Sequence, residues 1–155
     1  MLAYLVRHAV AEHRRSWSEP DDLRPLSPSG RTQARRLLGQ RDWSGVASVR
    51  SSPAVRCVDT VRPLADTLRL PLVEEPLLAE ASDPTRLLAL IASFDEGDIV
   101  LCTHGDVIPE LLKLVEHRGA DLPRQLQWRK GSTWVLEREG DKVVRATYTP
   151  PPTKD

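Results

Sequence analysis

Two short apolar runs, near opposite ends of the chain, each end in polar residues that include a histidine. Leu2–Val6 ends at Arg7 and His8, and Ile99–Cys102 leads to His104. Apolar runs of this length predict buried strands. In an open α/β sheet the ligand crevice lies beyond the carboxyl ends of the strands. Each histidine alone is more typical of a solvated turn, but the pair at one edge of a sheet indicates a phosphate-binding pocket.

The rest of the pattern alternates helices and strands. Ser27 as N-cap and Pro28 at the first helical position predict the start of the first helix. The alternation predicts a three-layer α/β/α sandwich, with a mostly parallel central sheet and an antiparallel edge hairpin. The remaining predicted elements are strands at Val46–Val49 and Leu72–Val73, helices at Val55–Leu68, from Asp83 and at Ile108–Val115, and a hairpin of Thr133–Glu137 with Lys142–Thr147.

One domain accounts for residues 1–149, and residues 150–155 are predicted to form a loose C-terminal tail. Residues 10–27 form a polar stretch between the first strand and the first helix. A loop of this length usually has a function of its own. We expect it to act as a flap over the site.

Composition narrows the classes of function. The 155 residues carry a formal net charge of zero, which argues against a nucleic-acid polymer as partner. No run is long enough for a membrane span and no signal peptide precedes the first strand, so the chain is expected to be cytoplasmic, without a membrane partner. Cys57 and Cys102 are too few for a disulfide framework, and both are expected to be reduced.

Three segments resemble the motifs of one family, in the family's order. Leu5–Ala9 (LVRHA) resembles the Arg-His-Gly signature of the histidine phosphatase (phosphoglycerate mutase-like) superfamily. Ser51–Thr60 (SSPAVRCVDT) is similar to its Ser-Pro-x-x-Arg-x-x-x-Thr segment, and Val100–Gly105 (VLCTHG) to its second histidine motif. The short chain resembles the compact SixA-like branch. Further likeness, in Arg24–Ala34 and Arg129–Leu136, is to the phosphatase domain behind a Nudix domain in MutT-type enzymes.

The resemblance implies a role for each motif residue. His8 is implied to be the nucleophile that forms a phosphohistidine, with its other ring nitrogen held by a backbone carbonyl. Arg7 and Arg56 would each offer a planar fork to two phosphoryl oxygens. His104 would donate to the same oxygens, and Gly105 would add backbone N–H groups at the start of a helix. This chemistry uses no metal and no cofactor.

The leaving group also needs a proton, and several carboxylates could supply it. Glu80 is the candidate general acid, since it follows a Leu-Leu-Ala segment like the one that carries the acid in the family. Glu74, Glu75 and Asp106 are rivals, and each is equally typical of a solvated carboxylate. A phosphohistidine substrate has an imidazole leaving group, which needs less help.

The chain departs from the family's pattern at two positions. Ala9 stands where the family usually has glycine, and Arg14 where many members have an asparagine that touches phosphate. Arg14 is therefore a candidate phosphate ligand, for the transferred group or for a second phosphate. His13, Arg15 and Arg24 are candidates to line the rim of the site beside Arg14. The alternative for each of these four residues is a solvated charge on the loop.

The sequence thus favours a metal-independent phosphohydrolase that acts through a phosphohistidine intermediate. Its substrate would be a protein phosphohistidine, a nucleotide or a small phosphorylated metabolite. The alternative is a catalytically weak phosphate- or phosphoprotein-binding module, although a binder has no need of the nucleophile His8. The sequence leaves the oligomeric state open.

Overall fold

Alternating strands and helices build one mixed sheet in the computed structural model, which describes residues 1–154. The strand order is β3-β2-β4-β1-β5-β6; β1 to β4 are parallel where they pair, whereas β5 pairs antiparallel with β1 and β6. The predicted fold class is confirmed. The elements are β1 Leu2–Arg7, α1 Pro28–Leu37, β2 Val46–Ser51, α2 Val55–Leu68, β3 Leu72–Glu74, α3 Pro84–Ser93, β4 Asp98–Thr103, α4 Val107–His117, β5 Thr133–Glu139 and β6 Lys142–Thr149.

The central strands are covered on both faces, which explains their nearly continuous apolar sequences. Successive strand residues point to opposite faces. Leu5 and Leu101 pack in a core with α3 and α4, whereas Val6 and Cys102 pack in a second core with α2. Helix α1 lies beside α2 and adds Leu37 to that second core. The result is three layers with the sheet in the middle.

Helix α1 begins at the capping residue and proline that predict its start. The Ser27 hydroxyl accepts a hydrogen bond from the Gly30 N–H at 3.1 Å, and Pro28 is the first residue of α1. Pro63 lies inside α2, which nevertheless runs on to Leu68. The predicted hairpin is formed by β5 and β6, with Gly140 at a φ of 63° in its two-residue turn.

The segments outside the elements lie against the domain. Residues 8–27 contain two short 3-10 turns, and Ala11 pairs with Leu26 in an isolated bridge. The carbonyls of Pro150 and Pro152 accept hydrogen bonds from Gln40 and Gln33. The last tail residue, 155, falls outside the described residues. In residues 1–154, no helix is both long enough and apolar enough to cross a membrane.

Candidate active site

Strand pairing brings the two strand-end histidines together. In the parallel pair β1–β4, Arg7 lies opposite Thr103, and the His8 N–H donates to the Thr103 carbonyl at 3.1 Å. The next residue on each strand is therefore a histidine at the same edge of the sheet. The rings of His8 and His104 are buried, with centroids 5.6 Å apart. The structure places both in one site, as the sequence predicts.

The ring of His8 has a defined tautomer. Its Nδ1 lies 2.8 Å from the carbonyl oxygen of Ala9, and a carbonyl only accepts hydrogen bonds. Nδ1 therefore carries the proton and Nε2 keeps its lone pair. Burial lowers the pKa of His8 to about 3, and the charges of His104, Arg56 and Arg7 act in the same direction, against the bond to Ala9. The imidazole is neutral near pH 7.

This lowered pKa predicts an acid sensitivity of the fold. The unfolded chain takes up a proton at His8 below about pH 6.5, whereas the folded chain does so only near pH 3. Stability therefore falls as the pH drops through that window, by about 3 kcal/mol between pH 7 and pH 4. Urea unfolding of the wild type and of His8→Gln at the two pH values measures it. Equal losses in both proteins would contradict the lowered pKa.

Arg7 is fixed at the end of β1 by the segment before β5. One guanidinium nitrogen donates to the Trp128 carbonyl at 2.7 Å, and the Gly131 N–H lies within 3.1 Å of the carbonyls of both Arg7 and His8. Nε of Arg7 is buried and has no hydrogen-bond partner among the described residues. A Cβ on Gly105 would lie 2.6 Å from the Arg7 guanidinium carbon. Gly105 thus makes room for the arginine.

Arg56 lies in the first turn of α2 with 1% of its surface exposed. Its guanidinium donates to a carboxylate oxygen of Glu80 at 2.8 Å and to the Asp21 backbone carbonyl at 2.9 Å. The Asp21 carboxylate lies 3.1 Å from the same guanidinium. Burial acts to raise the pKa of Asp21, but a hydrogen bond from Arg24 and the charge of Arg56 lower it overall. The 10–27 loop is thereby tied to the site.

Glu80 lies at the centre of the polar contacts on this side of the site. Besides its bond to Arg56, one carboxylate oxygen is 3.9 Å from Nδ1 of His104, and the other is 3.9 Å from the Arg14 guanidinium. The side chain of Arg14 is mostly exposed. Arg14 therefore lies next to the site, as the sequence predicts, and its neighbour there is the carboxylate of Glu80.

The rival carboxylates are engaged elsewhere. Glu75 accepts a hydrogen bond from the Leu77 N–H at 3.1 Å, and Asp106 accepts one from the Ala81 N–H at 2.8 Å. Glu74 ends the short strand β3 and is exposed. Among the four candidates, Glu80 is therefore the one in contact with both Arg56 and His104.

The ring of His104 is held by residues of the second motif. Nε2 lies 2.8 Å from the Ser52 hydroxyl, and Nδ1 lies 3.4 Å from a guanidinium nitrogen of Arg56. The thiol of Cys57 is 3.6 Å from Nε2. Both Cys57 and Cys102 are free and buried. Ser52 and Cys57 belong to the motif identified in the sequence, but their contacts with His104 are visible only in the structure.

Thr60, the last residue of the second motif, supports the nucleophile from α2. Its hydroxyl oxygen accepts a hydrogen bond from the Ala9 N–H at 2.9 Å and donates to the Arg56 carbonyl at 2.6 Å. Since the Ala9 carbonyl holds Nδ1 of His8, this threonine ties the residue that orients the histidine to the backbone of α2. The motif contains Thr60, but only the structure shows this link.

A cavity of about 630 Å³ opens beside His8. The rim residues suggested by the sequence, His13, Arg14, Arg15 and Arg24, all line it. Lys130, which the sequence did not single out, lines it as well. The site therefore joins a buried pair of histidines to an open, basic cavity.

Comparisons with known proteins agree with this geometry. The profile of the histidine phosphatase superfamily (branch 1) matches residues 3–82, about half of the chain. An 8-oxo-(d)GTP phosphatase of Mycolicibacterium smegmatis is 37% identical over 153 residues, which cover 96% of this chain and 48% of that protein. The chain thus spans about half the length of this curated relative.

Solved structures share the fold at low sequence identity. The protein histidine phosphatase SixA in complex with tungstate has a TM-score of 0.74 at 19% identity, covering 99% of this chain and 97% of that one. A mycobacterial glucosyl-3-phosphoglycerate phosphatase in complex with VO3 has a TM-score of 0.68 at 18% identity, covering 95% and 96%. The chain belongs to the histidine phosphatase superfamily (branch 1).

Proposed function

We propose that this protein is a phosphohydrolase that works without a metal, through a phosphohistidine formed at Nε2 of His8. The observation that carries the proposal is the neutral imidazole with its proton fixed on Nδ1 by the Ala9 carbonyl. Such a ring presents a lone pair at Nε2. The charges of the Arg7 and Arg56 guanidinium groups act on the His8 ring, and a phosphoryl group bound there needs such donors. Arg56 is buried, and so is Nε of Arg7.

In the first step, Nε2 of His8 attacks phosphorus, and the bond from phosphorus to the leaving group breaks with its electron pair. Charge in the transition state spreads over three phosphoryl oxygens. Arg7 supplies a guanidinium whose buried Nε has no other partner among residues 1–154. Arg56 supplies the second guanidinium and exchanges its contact with Asp21 for the phosphoryl group.

The remaining residues act on the phosphoryl oxygens and on the leaving group. His104 donates from Nδ1 to a phosphoryl oxygen once that oxygen has replaced the Arg56 guanidinium at Nδ1, while its Nε2 accepts from the Ser52 hydroxyl. Glu80, next to Arg56 and His104, delivers a proton to a leaving group that needs one. Gly105 keeps Arg7 in place, and Arg14 contacts phosphate oxygens from the loop.

In the second step, water attacks the phosphorus of phospho-His8. The phosphorus–nitrogen bond breaks, its electron pair returns to Nε2, and dihydrogen phosphate leaves with the oxygen of the water. The ring regains its starting tautomer because Nδ1 stays bonded to the Ala9 carbonyl throughout. No cofactor is required for this cycle.

Three substrate classes fit this chemistry: a protein phosphohistidine, a nucleotide or a small phosphorylated metabolite. The 8-oxo-(d)GTP phosphatase relative supports nucleotides and the SixA fold supports phosphohistidine. We also propose a cytoplasmic location, which the two free cysteines support.

Para-nitrophenyl phosphate hydrolysis, together with trapping of an acid-labile phosphoenzyme, tests the proposal. We expect both turnover and a trapped phosphohistidine that depends on His8. If the protein bound phosphate but neither hydrolysed para-nitrophenyl phosphate nor formed a phosphoenzyme, it would be a binding module and the proposal would be wrong.

The same mechanism predicts that metal removal has no effect on the rate. Among residues 1–154, no group of three or more His, Cys, Asp or Glu side chains is placed to hold a metal ion. The phosphate is already surrounded by cationic side chains, which repel a divalent cation. We expect dialysis against EDTA to leave turnover of para-nitrophenyl phosphate unchanged.

Oxyanions that adopt five-coordinate geometry are expected to inhibit the enzyme. Vanadate or tungstate beside His8 would meet the donors that are arranged for the transition state. The tungstate and VO3 complexes of the two structural neighbours support this expectation. Activity that is lost in EDTA and restored by magnesium or zinc would contradict the metal-independent mechanism.

A further inference from the structure

The cavity beside His8 is strongly cationic, although the whole chain has a formal net charge of zero. Its lining holds six basic side chains besides His8 and a single carboxylate, that of Glu12. A concentration of one charge sign in a cleft attracts ligands of the opposite sign. The basic residues are Arg7, His13, Arg14, Arg15, Arg24 and Lys130.

The backbone around Lys130 is held close to the nucleophile, and its exposed side chain lines the cavity. The N–H of the next residue, Gly131, donates to the carbonyls of Arg7 at 3.1 Å and His8 at 3.0 Å. The carbonyl two residues before Lys130, that of Trp128, accepts from Arg7. The backbone on both sides of the lysine is thus attached to the end of β1.

The ammonium group of Lys130 has no counter-charge of its own. Within residues 1–154 it forms no ion pair and no hydrogen bond. Desolvation lowers the pKa of Lys130, and the positive charges of Arg7, Arg24, Lys154 and Arg14 lower it further. A lysine placed among other cations in this way is stabilised by a bound anion.

We propose that this cavity binds a second phosphate of the substrate, with Lys130 as the main ligand and Arg14 and Arg15 beside it. The substrate class is then a compound with two linked phosphates, such as a nucleoside diphosphate. This inference rests on the proposed function, because His8 must act on the terminal phosphate. A volume of about 630 Å³ lies in the range of small-molecule sites.

The chemistry of a phosphoanhydride fits the charges of the cavity. Nε2 of His8 bonds to the terminal phosphorus, and the anhydride bond breaks with its electron pair on the bridging oxygen. That oxygen becomes a terminal oxygen of the departing phosphate, whose second ionisation lies near pH 6, so it needs no proton at neutral pH. The cations of the cavity stabilise the added charge. A protein phosphohistidine offers no second phosphate to them.

Binding of non-hydrolysable probes measures the subsite directly. We compare methylenediphosphonate with methylphosphonate by isothermal titration calorimetry in EDTA, for the wild type, Lys130→Ala and Lys113→Ala. Lys113 is an exposed lysine on α4 outside the cavity, and serves as the matched control. We expect the wild type and Lys113→Ala to prefer the diphosphonate about tenfold or more, and Lys130→Ala to lose most of that preference.

Kinetics separate this inference from the proposed function. For a nucleoside diphosphate relative to para-nitrophenyl phosphate, the ratio of kcat/KM should fall about tenfold in Lys130→Ala. Turnover of para-nitrophenyl phosphate without any diphosphonate preference would overturn the second-phosphate site alone. So would equal ratios in the two lysine variants, or a phosphohistidine protein turned over better than the diphosphate. Absence of any turnover would instead overturn the proposed function.

Discussion

Replacing His8 with alanine is expected to lower turnover about a thousandfold or more and to abolish the trapped phosphoenzyme. The side chain is the group that forms the bond to phosphorus, and the phosphate-binding arginines cannot replace it. His8 lies after the end of β1, and its ring bonds to the neighbouring Ala9 carbonyl rather than to a distant element. The fold should therefore survive the substitution, as circular dichroism and thermal unfolding would show.

His117→Ala is the matched control for this experiment. His117 ends α4 and is exposed, so its removal takes away an imidazole without touching the site. We expect wild-type turnover and a normal amount of phosphoenzyme from this variant. Near wild-type hydrolysis by a folded His8→Ala protein would rule out the covalent mechanism.

The elements that carry the histidines could be predicted from the sequence because their signals are local. The segments Leu2–Val6 and Ile99–Cys102 are apolar runs of strand length, as expected of strands covered on both faces. They can be recognised without knowing which strands and helices pack against them. The caps at Ser27 and Asp83 depend on contacts within three residues. The parallel order then brings the strand ends to one edge.

Contacts between distant segments could not be predicted in the same way. The carboxylate of Asp21 reaches Arg56 across 35 positions, from a loop with no periodic pattern, so no signal in the sequence connects the two. Lys130 enters the cavity because Gly131 bonds to the end of β1. The resemblance favours Glu80 over three rival carboxylates, but its contacts with Arg56 and His104 are visible only in the structure.

Replacing Arg56 or Arg7 with alanine is expected to lower kcat/KM for para-nitrophenyl phosphate about a hundredfold or more. Each guanidinium gives several donors in one plane to the phosphoryl oxygens. Arg56 is buried and so is Nε of Arg7, so water does not substitute for these donors. Arg56→Ala also leaves the Glu80 and Asp21 carboxylates without their shared cation. Thermal unfolding is therefore measured alongside the kinetics.

The lysine variants separate charge from geometry. Arg56→Lys and Arg7→Lys keep a positive charge but lose the planar fork, so we expect them to recover only part of the lost activity. Arg62→Ala, an exposed arginine on the same helix as Arg56, is the control and should retain wild-type kcat/KM. If lysine restored full activity at either position, a point charge would suffice there. The two-oxygen contact proposed for these arginines would then be wrong.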